Sequence, residues 1–166
     1  AAALRFVHLG TWSFWADEVF TFRDAQAFPA TLTMNPLPYA CVAASIRLFG
    51  VSEWSARLAP ALIGVACAPL SHWAGRRLFC RWTGRAASLL VALSPWHVFW
   101  SQNARHYVFT FAFGIVALVA FYEATKDGSV RWALGALVAT AAVVLSHTPA
   151  GAFVLGPVAF CWVMAL

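Results

Sequence analysis

Asp17, Glu18, Arg57, Arg105 and His147 are the residues of this sequence whose types could act together in chemistry. A carboxylate can take a proton from an attacking hydroxyl. Guanidinium groups suit a phosphate or diphosphate, which they grip through paired N–H groups. Cations also stabilise the negative charge that grows on a departing phosphate, and a separate acid is then unnecessary. Together these groups imply displacement of a phosphate leaving group, with one base and a phosphate clamp. Four of the five also have a plainer reading. Asp17 could cap a helix N-terminus. Arg57 and Arg105 could snorkel to lipid headgroups. His147 could be a hydrogen-bonded interfacial histidine, the reading taken outright for His8, His72 and His97.

The elements that must position these residues are membrane helices. Hydrophobic residues make up 62% of the chain and charged residues 10%. A soluble domain carries about a quarter charged residues. No Asp, Glu, Lys or Arg occurs in 58–75, 86–104, 106–122 or 132–166. A span needs about 20 mostly apolar residues. The first three stretches hold one span each. The last holds two, with a break at Ser146-His147-Thr148-Pro149. The expected fold is all-α: a polytopic transmembrane helix bundle of about five spans over 58–166, preceded by a first extracytoplasmic loop over 1–57. The chain is read as a fragment, with no signal-peptide pattern at its start.

Arg76, Arg77, Arg81 and Arg85 crowd the link between the first two spans. The positive-inside rule puts that link in the cytoplasm. All five candidate site residues then fall at the outer face. Pro36 to Phe49 is apolar but only about 20 Å long as a helix, against a hydrocarbon core near 30 Å. It reads as an interfacial helix. The segment from Asp17 to Gln26 reads as an amphipathic surface helix, with Trp15, Val19 and Phe22 on one face and Asp17, Thr21 and Asp24 on another. Cys41, Cys67, Cys80 and Cys161 show no metal-binding spacing. The net charge of +5 is explained by arginines beside spans, so no nucleic-acid partner is expected. Charge close to a bilayer is costly and often functional. At that depth the phosphate to be clamped is a lipid phosphate, and a sugar attached to it has a good leaving group.

Several runs resemble the GT-C glycosyltransferases in order and spacing. They are Trp15-Ala16-Asp17-Glu18, Asn35-Pro36-Leu37-Pro38-Tyr39, Phe49-Gly50-Val51-Ser52-Glu53 and Arg57-Leu58-Ala59-Pro60. Leu93-Ser94-Pro95-Trp96-His97, Ser101 to Tyr107 and Ser146-His147 continue the series. The similarity is to the protein O-mannosyltransferase and aminoarabinose transferase group. Where many relatives carry an acidic residue this chain has Asn103, and where they carry an apolar one it has His106. The resemblance implies an inverting transferase that moves a sugar from a polyprenyl-phosphate donor to a protein, lipid or glycan acceptor at the outer face of the cell (inner) membrane. It implies Asp17 as the catalytic carboxylate, a base or an acceptor-orienting group, with Glu18 beside it, and Arg57 and Arg105 on donor phosphate; His147, at the same outer face, is read as a supporting residue. No metal and no cofactor beyond the lipid co-substrate are expected. A transporter or flippase of an anionic lipid is the rival, since it would use the same arginines without a base.

Overall fold

A computed structural model describes residues 1–30 and 35–149. The fifth expected span, with Cys161, lies outside the described residues. The described part is helical throughout, as expected: α1 (Ala2–Phe6), α2 (Ala16–Ala27), α3 (Pro36–Phe49), α4 (Glu53–Leu78), α5 (Arg81–Leu93), α6 (Pro95–Ser101), α7 (Tyr107–Asp127) and α8 (Val130–Ser146). Among the described residues α4 and α7 are long and apolar enough to cross a membrane, and α8 is a shorter apolar helix.

α4 is the axis of the bundle. Ser52 starts it by accepting from the Ser55 backbone N–H, while Ser55 Oγ accepts from the Ser52 N–H. This reciprocal cap satisfies two otherwise orphaned donors. Apart from Arg57, its buried residues are small: Ser55, Ala56, Pro60, Ala61, Gly64, Cys67, Ala68, Ser71, Ala74 and Gly75. Small side chains let neighbouring backbones approach closely, which is how helices pack where lipid supplies no hydrophobic drive. Gly64 is required: a Cβ there would run into the Ser101 side chain of α6. α7 ends at Gly128, whose φ of 62° is the left-handed conformation of a helix C-cap. The chain then turns directly into α8, which returns along α7.

α2 and α3 lie over the start of α4. Ala25, Val42, Ala43, Ile46, Ala56 and Ala104 form one buried cluster, with Phe14, Phe22 and Phe28 packed against it. α2 buries residues from both of the faces named from its sequence, with Thr21 buried and Phe22 packed against the cluster. Glu18, Thr21 and Ala25 point inward, while Trp15 and Val19 are exposed. A charged group this close to a bilayer needs a partner, and the interior supplies one to Glu18.

The expected continuous span over 86–104 is two helices. Ser94 ends α5 and begins α6, its hydroxyl accepting from the His97 backbone N–H. Pro95 is the first residue of α6, where its missing N–H costs nothing. Arg5 secures the break. Its guanidinium is fully buried and donates to the carbonyls of Val91 and Ala92 at 2.9 and 3.3 Å, and lies 2.9 Å from His97 Nδ1. A cation on the last carbonyls of a helix also suits its dipole.

Candidate functional site

The sequence-predicted site residues gather at one end of the bundle, on four separate elements. Asp17 and Glu18 are in the first turn of α2, Arg57 is in α4, Arg105 is in the link before α7, and His147 follows α8. Arg76, Arg77, Arg81 and Arg85 lie at the opposite end of α4 and the adjoining start of α5.

The two acidic neighbours on α2 part company. Successive helical side chains diverge by about 100°. Glu18 points inward and is fully buried. Its Oε1 accepts from Arg57 Nε at 2.9 Å and from the Ala104 backbone N–H at 2.7 Å, and its Oε2 accepts from Arg57 Nη2 at 2.7 Å. The other donations of Arg57 go to the carbonyls of Leu9, Trp12 and Ser13. A guanidinium has five N–H donors in a fixed fork, and here every branch of it has an acceptor. The ring of Phe14 lies 5.3 Å from its Cζ. This pair ties α2, α4, the 9–13 segment and the link before α7 into one unit.

Asp17 faces the other way and is half-open. It does not cap α2: the N-cap is Trp15, with no side-chain cap bond. Its Oδ2 lies 3.4 Å from Arg105 Nη2, while Arg105 Nη1 donates to the Asp17 carbonyl at 3.1 Å. Arg105 is mostly buried, with Tyr107 under its guanidinium, and its Nε has no hydrogen-bond partner among the described residues. Asp24 turns to Arg23. Among the described residues no group of three or more His, Cys, Asp or Glu side chains is placed to hold a metal ion.

His147 stacks face to face on His106, with ring centroids 4.2 Å apart and planes 9° from parallel. His106 is buried beside Arg105 and its Nε2 has no partner among the described residues. Burial first, then His147 and Arg105, push the His106 pKa down to about 3. Burial and Arg105 lower that of His147 as well. Both shifts favour the neutral imidazole, and the stacked pair sets the end of α8 against the link before α7. A cleft of about 480 Å³ opens beside the Glu18–Arg57 pair, walled by Trp12, Trp15 and Phe99, with His8, Gln102 and Asn103 supplying polar edges.

The family model for dolichyl-phosphate-mannose-protein mannosyltransferases matches residues 33–165. The chain belongs to that family. No curated protein and no solved structure matches it. This membrane glycosyltransferase thus bears out the resemblance to the GT-C enzymes read from its motifs. Arg57, Arg105, His106 and His147 lie inside the matched region, whereas Asp17 and Glu18 precede it. Sequence reasoning assigned nothing to Arg5, Gln102 or Ala104. Gln102 donates to the carbonyls of Leu4 and Val7, so Arg5 and Gln102 together fasten α1 to α6 and to the link that carries Arg105. A lone arginine among apolar residues is a signal for Arg5. A backbone N–H such as that of Ala104 leaves none.

Proposed function

We propose that this mannosyltransferase-family chain carries the base and a donor-phosphate contact of an inverting transferase acting on polyprenyl-phosphate sugars at the extracytoplasmic face. The observation that carries the reading is the contact of an open carboxylate, Asp17, with a partly unsatisfied arginine, Arg105. In the reaction, the acceptor hydroxyl oxygen forms a bond to the anomeric carbon of the donor sugar. The bond from that carbon to the phosphate oxygen breaks, with its electron pair leaving on the lipid phosphate. Asp17 takes the hydroxyl proton, and Arg105 stabilises the phosphate.

The contacts of each side chain support separate roles for these residues. Arg105 suits the phosphate: its ion pair with Asp17 is long, at 3.4 Å, and among the described residues its Nε proton has no acceptor. Arg57, with its N–H groups already engaged, suits the part of a positioning residue, and Glu18 with it. His147 supports Arg105 through His106. A donor carried on a polyprenyl phosphate accords with the dolichyl-phosphate-mannose named by the family description. Outer-face placement rests on the arginine-rich link at the other end. The test is to incubate the purified full-length protein with radiolabelled polyprenyl-phosphate sugars and an extract of candidate acceptors. Label moving from lipid to acceptor, and lost in Arg105→Ala, is the expected result. Lipid crossing the membrane without any transfer would point to the flippase reading instead.

A further inference from the structure

The second charged feature of the molecule lies at the far end from the site, where α4 turns into α5. Arg76 and Arg77 occupy the last turn of α4, and Arg81 is the first residue of α5, with Arg85 one turn later. The two helices touch backbone to backbone there. A Cβ on Gly75 would come within 2.6 Å of Gly84 Cα, and one on Gly84 within 2.9 Å of Arg76 Cγ. The glycine pair thus brings the stem of Arg76 against the opening turn of α5, which carries Arg81 and Arg85.

The fold does little to compensate them. Arg76 and Arg77 sit where a helix dipole favours cations, but Arg81 and Arg85 sit in the opening turns of α5, where it opposes them. Arg77 lies 3.6 Å from Glu123 of α7. Among the described residues, Arg76, Arg81 and Arg85 have no carboxylate within ion-pair distance and donate no hydrogen bond. Arg81 and Arg85 both lie against the indole of Trp82, at 5.1 and 4.8 Å from its rings. Stacking fixes the planes of the guanidinium groups and leaves their N–H edges free. Beside them a cavity of about 320 Å³ is lined by His72, Trp73, Arg76 and Arg77.

The neighbours identify the source of the anion. Phe79 and Trp82 are 74% and 63% exposed on the same turn. Tryptophan favours the headgroup level of a bilayer. From there Leu89 and Leu93 run along α5, exposed and one turn apart, where acyl chains would lie. A free phosphate has no use for that apolar track.

We infer that the α4–α5 turn is a binding site for an anionic phospholipid, its headgroup phosphate held by Arg76, Arg81 and Arg85 and its chains lying along α5. The site is independent of sugar transfer and stands or falls apart from it. Basic pockets at helix ends on the cytoplasmic side are known to suit anionic headgroups.

The experiment uses the purified full-length protein in phosphatidylcholine nanodiscs with or without about 20 mol% phosphatidylglycerol. Thermal unfolding should shift upward with phosphatidylglycerol. The shift should shrink on going from 0.1 to 1 M salt, as the screening length falls from ~10 Å to ~3 Å. Inorganic phosphate added to phosphatidylcholine discs should not reproduce it. Native mass spectrometry should show phosphatidylglycerol retained by the parent and lost from R76Q/R81Q/R85Q. R81K/R85K, which keeps charge without the stacked fork, should retain it less well than the parent. Should the triple variant fail to insert, the parent's lipid and salt dependence still decides. Equal stability in both lipids, or equal retention of phosphatidylcholine, would show that the arginines are a topology signal alone.

Discussion

Glu18 receives Nε and Nη2 of Arg57 at 2.9 and 2.7 Å, and both side chains are buried. Two charges out of water are tolerable only when each hydrogen-bonding position is filled, and the Ala104 N–H and the Leu9, Trp12 and Ser13 carbonyls fill the remainder. This internal pair frees the adjacent Asp17 to face outward. The two acidic residues of one dipeptide thereby acquire opposite duties, one closed and one open.

The first prediction concerns that pair. Arg57→Ala leaves Glu18 buried and uncompensated, and breaking such a pair costs about 3 to 5 kcal/mol. Arg57→Lys should recover little, because an ammonium is a point charge and not a five-donor fork. Denaturation midpoints in detergent check both. A midpoint unchanged in Arg57→Ala, alongside lost donor binding, would return Arg57 to the phosphate.

The second prediction separates Arg105 from Arg57. Arg105→Lys should retain the melting temperature of the parent yet lose donor affinity and transfer, because lysine keeps the charge but not the planar fork. Full transfer by Arg105→Lys at normal protein level would make Arg105 a snorkelling residue.

The third prediction is a pH dependence. His106 has its pKa pushed down to about 3 and His147 is lowered in the same sense. A histidine held neutral in the fold binds its proton more readily once unfolded. The stability contributed is therefore full above the ordinary histidine value of about 6.5, and declines as pH falls from there toward 3. His106→Phe keeps an aromatic ring on His147 without the titrating nitrogen, so its melting temperature should fall less between pH 7 and pH 5 than the parent's. Parallel curves for the two proteins would remove the stacked pair from the account.

The fourth prediction is orientation. Cys80 is exposed in the arginine-rich link, and its hydrogen bond with Thr83 lowers its thiol pKa, which favours labelling. With Cys41, Cys67 and Cys161 replaced, Cys80 should be shielded from an impermeant thiol reagent applied to intact cells. A cysteine placed at Gln26, exposed on α2, should react. Labelling of Cys80 from outside would invert the topology.

What was legible in the sequence followed physical period and punctuation. Pro36 and Gly50 bracket α3, and the basic link marks the turn between α4 and α5. Hydropathy hid the break at Ser94–Pro95, because both halves of the segment are apolar and only the proline marks the start of a new helix. The sorting of Asp17 from Glu18 was out of reach for a different reason. Adjacent residues must diverge, but which one faces inward depends on the guanidinium and N–H that α4 and the 102–106 link bring from far along the chain. The buried face of α2 was not legible for a third reason: periodicity locates two faces, and the surroundings decide which is covered.

The last prediction tests the base. Asp17→Asn should abolish transfer while leaving insertion, stability and donor binding close to the parent. The structure makes the substitution clean in two ways. Asp17 is not the N-cap of α2, so no cap is lost. It is 44% exposed, so an amide there leaves no buried charge stranded except the one it faced, Arg105, which retains the Asp17 carbonyl and Thr21 Oγ as acceptors. Asparagine keeps the size of the side chain but accepts no proton. General-base catalysis contributes about 10² to 10⁴ in rate. The loss should therefore appear in turnover and not in donor affinity. Glu18→Gln is the contrast: it weakens the buried pair, so it should lower the melting temperature, with activity falling only as folded protein is lost. Transfer rate, donor binding and melting temperature measured on the same preparations distinguish the two. Near-parent turnover in Asp17→Asn would move the base elsewhere and leave Asp17 as the partner that holds Arg105 in place.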